Sequence, residues 1–458
     1  MALPPGPRGP ALLQSLRLIL SPIGFLEQCL RRYGDVFRLR FIGMGDLVYV
    51  ADTEVVKEIF TGDARVFHAG EANQVMEPVL GPRSVLLLDE DEHLRERRLL
   101  LPPFHGDRVR TYRELVAEIA AAEIERWPRG GAFPVRPRMQ AITLEVILRA
   151  VFGIREAERL DRLRALIPKM LDHGGVIVWM PFLRRDLGPG SPWRRFVRVR
   201  AEVDRLLLDE VRRRREAADL EERDDILSLL LQARGEDGEP MSEGELRDEL
   251  ATLLLAGHET TATGLAWAFE RLTRTPAVMS RLEAAIAADD EDYVDAVAKE
   301  TLRARPVVYD VARKLAAPFT VKAWDVPAGA YVVPSITAIH LLQGLYDRPD
   351  EFRPERFLDS QPDSYAWIPF GGGRRRCIGA AFALMEMKAV LREVLSRVTV
   401  RAPDPRPERM KLHNVTLMPA KGARVVVRDR AAPLAAAPGV ARAQAGAAAM
   451  STTSGSST

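Results

Sequence analysis

The stretch FGGGRRRCIG, residues 370–379, decides how this chain is read. Three glycines at 371–373 let the backbone turn sharply and come close to something flat or bulky. Cys377 stands just before Gly379, where a helical pattern begins. A helix N-terminus offers unpaired N–H groups and the positive end of the macrodipole, and both favour thiolate over thiol. A thiolate is the strong donor a haem iron needs, because it pushes electron density that helps O–O cleavage. Arg375, two residues earlier, is placed to meet a haem propionate. On the loop alone, two other readings stay open. It can be a glycine-rich turn around a small buried cysteine. It can also be a phosphate loop, although no third glycine falls at the dinucleotide offset and no Lys-Ser/Thr pair follows.

The rest of the chain narrows the field. Among 458 residues, 66 Lys and Arg balance 64 Asp and Glu, so no general attraction to nucleic acid is implied. Cys29 and Cys377 are the only cysteines and no Cys-x-x-Cys occurs, which argues against a zinc site and suits a reducing compartment. No run reaches the roughly 18 apolar residues that a membrane span needs. The best one, Ala11 to Leu30, is broken by Arg17, Pro22 and Glu27. No basic segment precedes an apolar run with a cleavage site. A cytoplasmic protein with neither a membrane span nor a nucleic-acid partner is expected. The end of the chain, 431–458, is rich in Ala, Gly, Ser and Thr and has no aromatic residue. It is expected to be a disordered tail after a single domain over 1–430.

Periodicity gives a mainly α chain with a smaller β portion. FRLRFIGMGDLVYVAD has strand character around a Gly-Met-Gly turn at 43–45, and TEVVKEIFTG is helical up to Gly62. From about Arg95 to Gln232 apolar residues recur at three and four. One long helix is expected from Ser242 to Leu272, with Ser242 and Glu245 as a capping box. NVTLMPAKGARVVV, residues 414–427, reads as a final hairpin.

The long helix holds LLLAGHETTATG, residues 253–264. Hydroxyls at Thr260 and Thr261 can bond back to the ladder, and Gly257 weakens the same turn, so a local widening with room for dioxygen is expected. Glu259 and Thr260 then form a carboxyl–hydroxyl pair suited to passing protons. A helix–helix contact built from small residues is an equal reading of this segment. In KETLRARP, Glu300 and Arg303 share one helix face, and EFRPERF brings Arg356. In DEHLRERRLLLPPFHG, His93 and Arg97 lie four apart, which on its own is most simply a solvated basic face.

The loop is similar to the cytochrome P-450 signature Phe-x-x-Gly-x-Arg-x-Cys-x-Gly, through Phe370, Gly373, Arg375, Cys377 and Gly379. The other motifs fall in that family's order, from His93 to Cys377. The resemblance implies the cytochrome P-450 fold, with haem b between the long central helix and the cysteine-loop helix. Cys377 would be the axial ligand of the haem iron, with Phe370, Gly371 and Gly379 around it. Ala256 and Gly257 would lie against the haem. His93, Arg97, Arg313 and Arg375 would meet its propionates. Thr260 would steer oxygen activation, and Glu259 would serve proton delivery. Glu300, Arg303 and Arg356 would hold the fold beneath the haem loop.

By family position the substrate pocket would draw on Met76, Val79, Leu86, Leu253, Val307, Val308, Tyr309, Val311 and Thr416. That lining is mostly apolar and suits a fatty acid, terpene or steroid. Tyr309 stands where relatives often have proline, and Asp310 adds a charge beside it. The implied activity is insertion of one oxygen atom from O2, with electrons from a separate ferredoxin or flavodoxin and its reductase, since neither module is fused here. A peroxide-driven haem-thiolate peroxygenase is the alternative.

Overall fold

The computed structural model describes residues 3–432 and 434, apart from 105–107, 155, 237 and 360–361. The tail expected over 431–458 lies outside the described residues, except for 431, 432 and 434.

The long helix spans Glu243–Leu272 and is 30 residues long, or about 45 Å at ~1.5 Å per residue. Its start is the expected capping box: the Ser242 hydroxyl accepts the Glu245 N–H and the Glu245 carboxylate accepts the Ser242 N–H. The helix is covered on most sides, which marks a core helix. Alanine and glycine at 262, 264, 266 and 268 let neighbouring helices approach closely. Arg136–Val146, Glu291–Ala304 and Ala380–Arg397 pack against it, and Leu250, Leu254, Leu265 and Phe269 join Val390 and Val394 in the main core. Among the described residues, no helix is long and apolar enough to cross a membrane.

A five-stranded sheet lies to one side, in the order Val36–Phe41, Gly45–Val50, Tyr331–Pro334, Arg313–Leu315 and Phe67–His68. The first two form a hairpin, with Gly43 and Gly45 at positive φ (84° and 83°) where the chain reverses. Gly45–Val50 pairs in parallel with Tyr331–Pro334, Val48 opposite Val332. Arg313 is held in this sheet opposite the same Val332, so a rigid scaffold aims it.

The expected final hairpin over 414–427 is instead two separate pieces. Thr416–Pro419 pairs with Met410–His413, whereas Arg424–Asp429 leaves to pair with Ala132–Pro134 and Val398–Arg401. The split is made between them, where Gly422 and Ala423 take positive φ and the Glu408 carboxylate accepts the N–H groups of Lys421, Ala423 and Arg424. A carboxylate supplied from outside the segment thus replaces the cross-strand bonds that the alternating pattern implied.

Candidate active site

The cysteine loop is shaped by its glycines. Gly371 and Gly373 have φ of 67° and 60°. A Cβ on Gly373 would lie 1.9 Å from the Phe60 carbonyl oxygen, so only glycine fits there. The loop closes with the Cys377 N–H donating to Phe370 O at 2.9 Å, and helix Ala380–Arg397 starts behind its N-cap Gly379. The Cys377 side chain is accessible, yet protein surrounds it on nearly every side. Both hold together only if it faces an internal cleft. Burial pushes its thiol up, against the pull of the Gly379 N–H and of Arg97 and Arg376. Burial and the helix terminus thus oppose one another at this thiol. A coordinated metal cation removes that burden, since a ligating thiol is deprotonated outright.

Four basic side chains converge beside this cysteine. Burial first, then Arg375, Arg97 and Arg313, drive His93 down to about 3. Burial and Arg375 bring Arg313 down to about 10, against Asp89. Burial and Arg97 bring Arg375 to about 10, again against Asp89. Arg375 pairs with Asp89 at 2.6 Å, Arg97 donates to Arg376 O at 2.7 Å, and, among the described residues, Arg313 donates only to Ala312 O at 2.9 Å. Among the described residues, one carboxylate meets three guanidiniums, Arg313 buried and Arg97 and Arg375 half-buried, which is a deficit of negative charge that a dicarboxylate fits. Haem b brings two propionates, so the residues present fit the group. Arg313→Leu is therefore expected to act with opposite signs in two assays. Haem should pass to apomyoglobin about tenfold faster or more. Protein stripped of haem should gain stability in urea.

The long helix divides its motif between two faces. Ala256 is exposed in the middle of a buried helix, so it borders the cleft. The Thr260 hydroxyl donates to Ala256 O at 2.5 Å, and the helix stays continuous rather than widening. Gly257 turns its bare side to Ile147, whose Cδ1 lies 2.6 Å from where a Cβ would be. Close helix packing is thus one reason for glycine at this position. Glu259 points elsewhere, because consecutive helical residues are about 100° apart. Its carboxylate is buried against Arg136 at 2.6 Å, with His413 Nε2 at 3.6 Å. Neither partner is signalled by local sequence, since Arg136 lies 123 positions away.

Glu300, Arg303 and Arg356 come together as one unit. Arg303 donates to both Glu300 oxygens at 2.7 and 2.8 Å, Arg356 reaches Glu300 at 3.2 Å, and the Arg353 N–H adds 2.8 Å. Arg303 also holds the carbonyls of His340 and Glu351.

The expected pocket residues scatter. Met76, Leu86 and Leu253 are half-buried at the margin of the main core, and Val308 and Val311 edge the sheet-side cluster. Val79 and Val307 are covered core residues, and Thr416 is buried with its hydroxyl on His413 O. Tyr309 packs instead on the N-terminal cluster of Phe37 and Tyr49. Asp310 accepts from the Tyr49 hydroxyl at 2.8 Å and the Ser335 hydroxyl at 3.0 Å. Burial lifts its pKa from 3.8 to about 7, with those two bonds pulling down. The folded protein thus holds a proton that the unfolded chain releases above about pH 4. Stability from this group is full at acid pH and is lost as pH rises to about 7. Asp310→Asn should therefore gain a few kcal/mol on the parent at about pH 8 and little at about pH 4, read by urea unfolding.

A profile of the cytochrome P450 family matches residues 4–427. The chain is 46% identical over 434 residues to a protein described as cytochrome P450 135B1 of Mycobacterium tuberculosis, covering 93% of this chain and 92% of that one. It is 40% identical over 429 residues to cytochrome P450 138 of the same species, covering 93% and 97%. Among solved structures, retinoic acid-bound cyanobacterial CYP120A1 superposes with a TM-score of 0.81 at 23% identity, over 94% of this chain and all of that one. The cytochrome P450DA haem domain gives 0.82 at 24% identity, over 94% and 98%. At these identities the two structures speak for the fold.

Proposed function

The chain belongs to the cytochrome P450 family, and from that premise we propose that it inserts one oxygen atom of O2 into an apolar organic substrate, with electrons from a separate ferredoxin or flavodoxin and its reductase. The family makes it a monooxygenase enzyme that carries haem b on a cysteine thiolate. When bound, the haem supplies the activation of dioxygen. The observation that carries the reading is the Cys377 side chain, accessible yet enclosed by protein, with His93 and three arginines beside it that share one carboxylate, Asp89.

This chain's own residues have five tasks in that reading. Cys377 would supply the sulfur that holds the iron. His93, Arg97, Arg313 and Arg375 would hold the propionates. Ala256 borders the cleft, and Thr260 would present its hydroxyl one helix turn on. Glu259, tied to Arg136 and His413, holds a carboxyl about 100° around the helix from Thr260 and serves proton delivery. Leu253, Val308 and Val311 are the apolar walls that exclude water and favour an apolar substrate of the fatty acid, terpene or steroid class.

Thr260→Ala separates the O2-dependent reading from the peroxide-driven one. With O2 and electron donors, product per electron should fall about tenfold or more while released peroxide rises. With added peroxide, product formation should stay near that of the parent. Undiminished coupling with O2 removes Thr260 from the mechanism. The whole reading is tested by the absorption spectrum of reduced protein under carbon monoxide. A strongly red-shifted Soret band is expected, and an ordinary haem band overturns it.

A further inference from the structure

Helix Ala11–Leu20 is inside out. Its buried face carries Gln14, Ser15 and Leu18. Gln14 donates to Pro7 O and Gly9 O at 3.1 and 2.8 Å and accepts the Arg40 N–H at 2.9 Å, while the Ser15 hydroxyl accepts the Ile42 N–H at 3.0 Å. Its outer face carries Leu12, Leu13, Leu16, Ile19 and Leu20, with Leu20 77% exposed. These positions follow one another at helical spacing and make a single apolar stripe. A stripe of this kind facing outward marks a surface that meets something apolar.

A second apolar patch lies on the segment that leaves helix Ala157–Trp179. Val176, Met180, Phe182 and Leu187 are exposed there, Phe182 at 71%. Both patches flank one hairpin, Met410–His413 with Thr416–Pro419. Helix Ala11–Leu20 packs on its first strand, and Gly175 abuts Asn414 at its turn. That hairpin is anchored to the core near the cleft: Trp267 Nε1 donates to Leu417 O at 2.7 Å, and the Leu417 N–H donates to Val307 O at 2.8 Å.

The charge around the patches is one-sided. Arg8, Arg17, Arg31 and Arg32 are exposed on residues 3–34, where Glu27 is the only acid. Arg185, Arg194, Arg195 and Arg198 are exposed beyond the second patch, where Asp186 is the only acid between 180 and 200. The whole chain carries only +2, so these segments concentrate its positive charge. Exposed leucines and a phenylalanine interleaved with arginines match a lipid interface with anionic headgroups. A second copy of this chain would set arginine against arginine.

We propose that the protein docks peripherally on an anionic lipid surface through these two patches, without spanning it. Docking would bring the hairpin beside the cleft against the lipid, where apolar compounds concentrate.

The test is co-sedimentation of the full-length, haem-loaded protein with sucrose-loaded vesicles of phosphatidylcholine, with and without phosphatidylglycerol. Binding is expected with phosphatidylglycerol and should weaken with salt. Leu13→Ser with Leu16→Ser and Leu20→Ser should lower it about a hundredfold while the haem spectrum stays native. Should that variant fail to fold, Phe182→Ser with Leu187→Ser carries the test on the other patch. No sedimentation with either vesicle overturns the proposal. So does binding that the leucine changes leave intact, since charge alone then explains it. A dimer abolished by the same substitutions, in protein that ignores vesicles, also overturns it by naming a second copy as the occupant. None of these outcomes depends on turnover, so failure here leaves the monooxygenase reading untouched.

Discussion

Cys377→Ala abolishes the red-shifted carbon monoxide band and reduces oxygen insertion to background: that is the largest effect expected of any single change. The reason is that the site holds no second soft donor. The other cysteine, Cys29, is packed with Phe25 and Leu26 in the N-terminal cluster, and burial pushes its thiol up to about 11. It can neither reach the cleft nor ionise. The loop geometry survives the change, because the Cys377 N–H still donates to Phe370 O and the glycine turns stand on backbone alone. Haem should therefore still enter, drawn by the four basic groups, and show an ordinary band. Retention of both haem content and the red-shifted band in the alanine variant would refute the assignment of the ligand. Cys377→Ser is the finer probe, since it keeps the shape and replaces the sulfur donor with a harder oxygen.

The second large effect is on folding. Glu300→Leu is expected to cost on the order of 3–5 kcal/mol, because it strands a buried guanidinium. Arg303 is fully covered, and without Glu300 it keeps only the carbonyls of His340 and Glu351. Arg356 and the Arg353 N–H lose the same acceptor. Urea unfolding of soluble protein, together with the yield of haem-loaded protein, measures the loss. Glu300→Leu combined with Arg303→Met should recover part of it, since a buried pair replaced by apolar groups costs less than a pair broken in half. A double variant no better than the single would mean that the network is not an ion pair in energetic terms.

Local chemistry was legible in the sequence. The capping box at Ser242 and Glu245, the helix start at Gly379 and the hairpin around Gly43 each depend on residues within a few positions. The basic ring around Cys377 was legible only as a set of separate motifs, because it joins residues from 93 to 375. Side-chain direction was not legible. Glu259 and Thr260 are neighbours in sequence, but the partner that claims Glu259 lies 123 positions away. Asp310 is met by Tyr49 from 261 positions away, and no spacing rule announces that. The pairing of the last strands is hidden for the same reason, since an alternating pattern states that a strand exists and not which strand it will join.

The parallel pairing of Gly45–Val50 with Tyr331–Pro334 has a consequence for how the protein is made. The hairpin Val36–Val50 leaves the ribosome early, but the strand that covers its inner edge follows about 280 residues later. At roughly 5–20 residues per second, that edge stays open for on the order of tens of seconds. An unpaired edge carrying Leu47, Val48 and Val50 invites pairing with other nascent chains. Production of this protein should therefore be limited by synthesis speed and chaperone supply more than by the stability of the finished fold, and slower growth at low temperature should raise soluble yield.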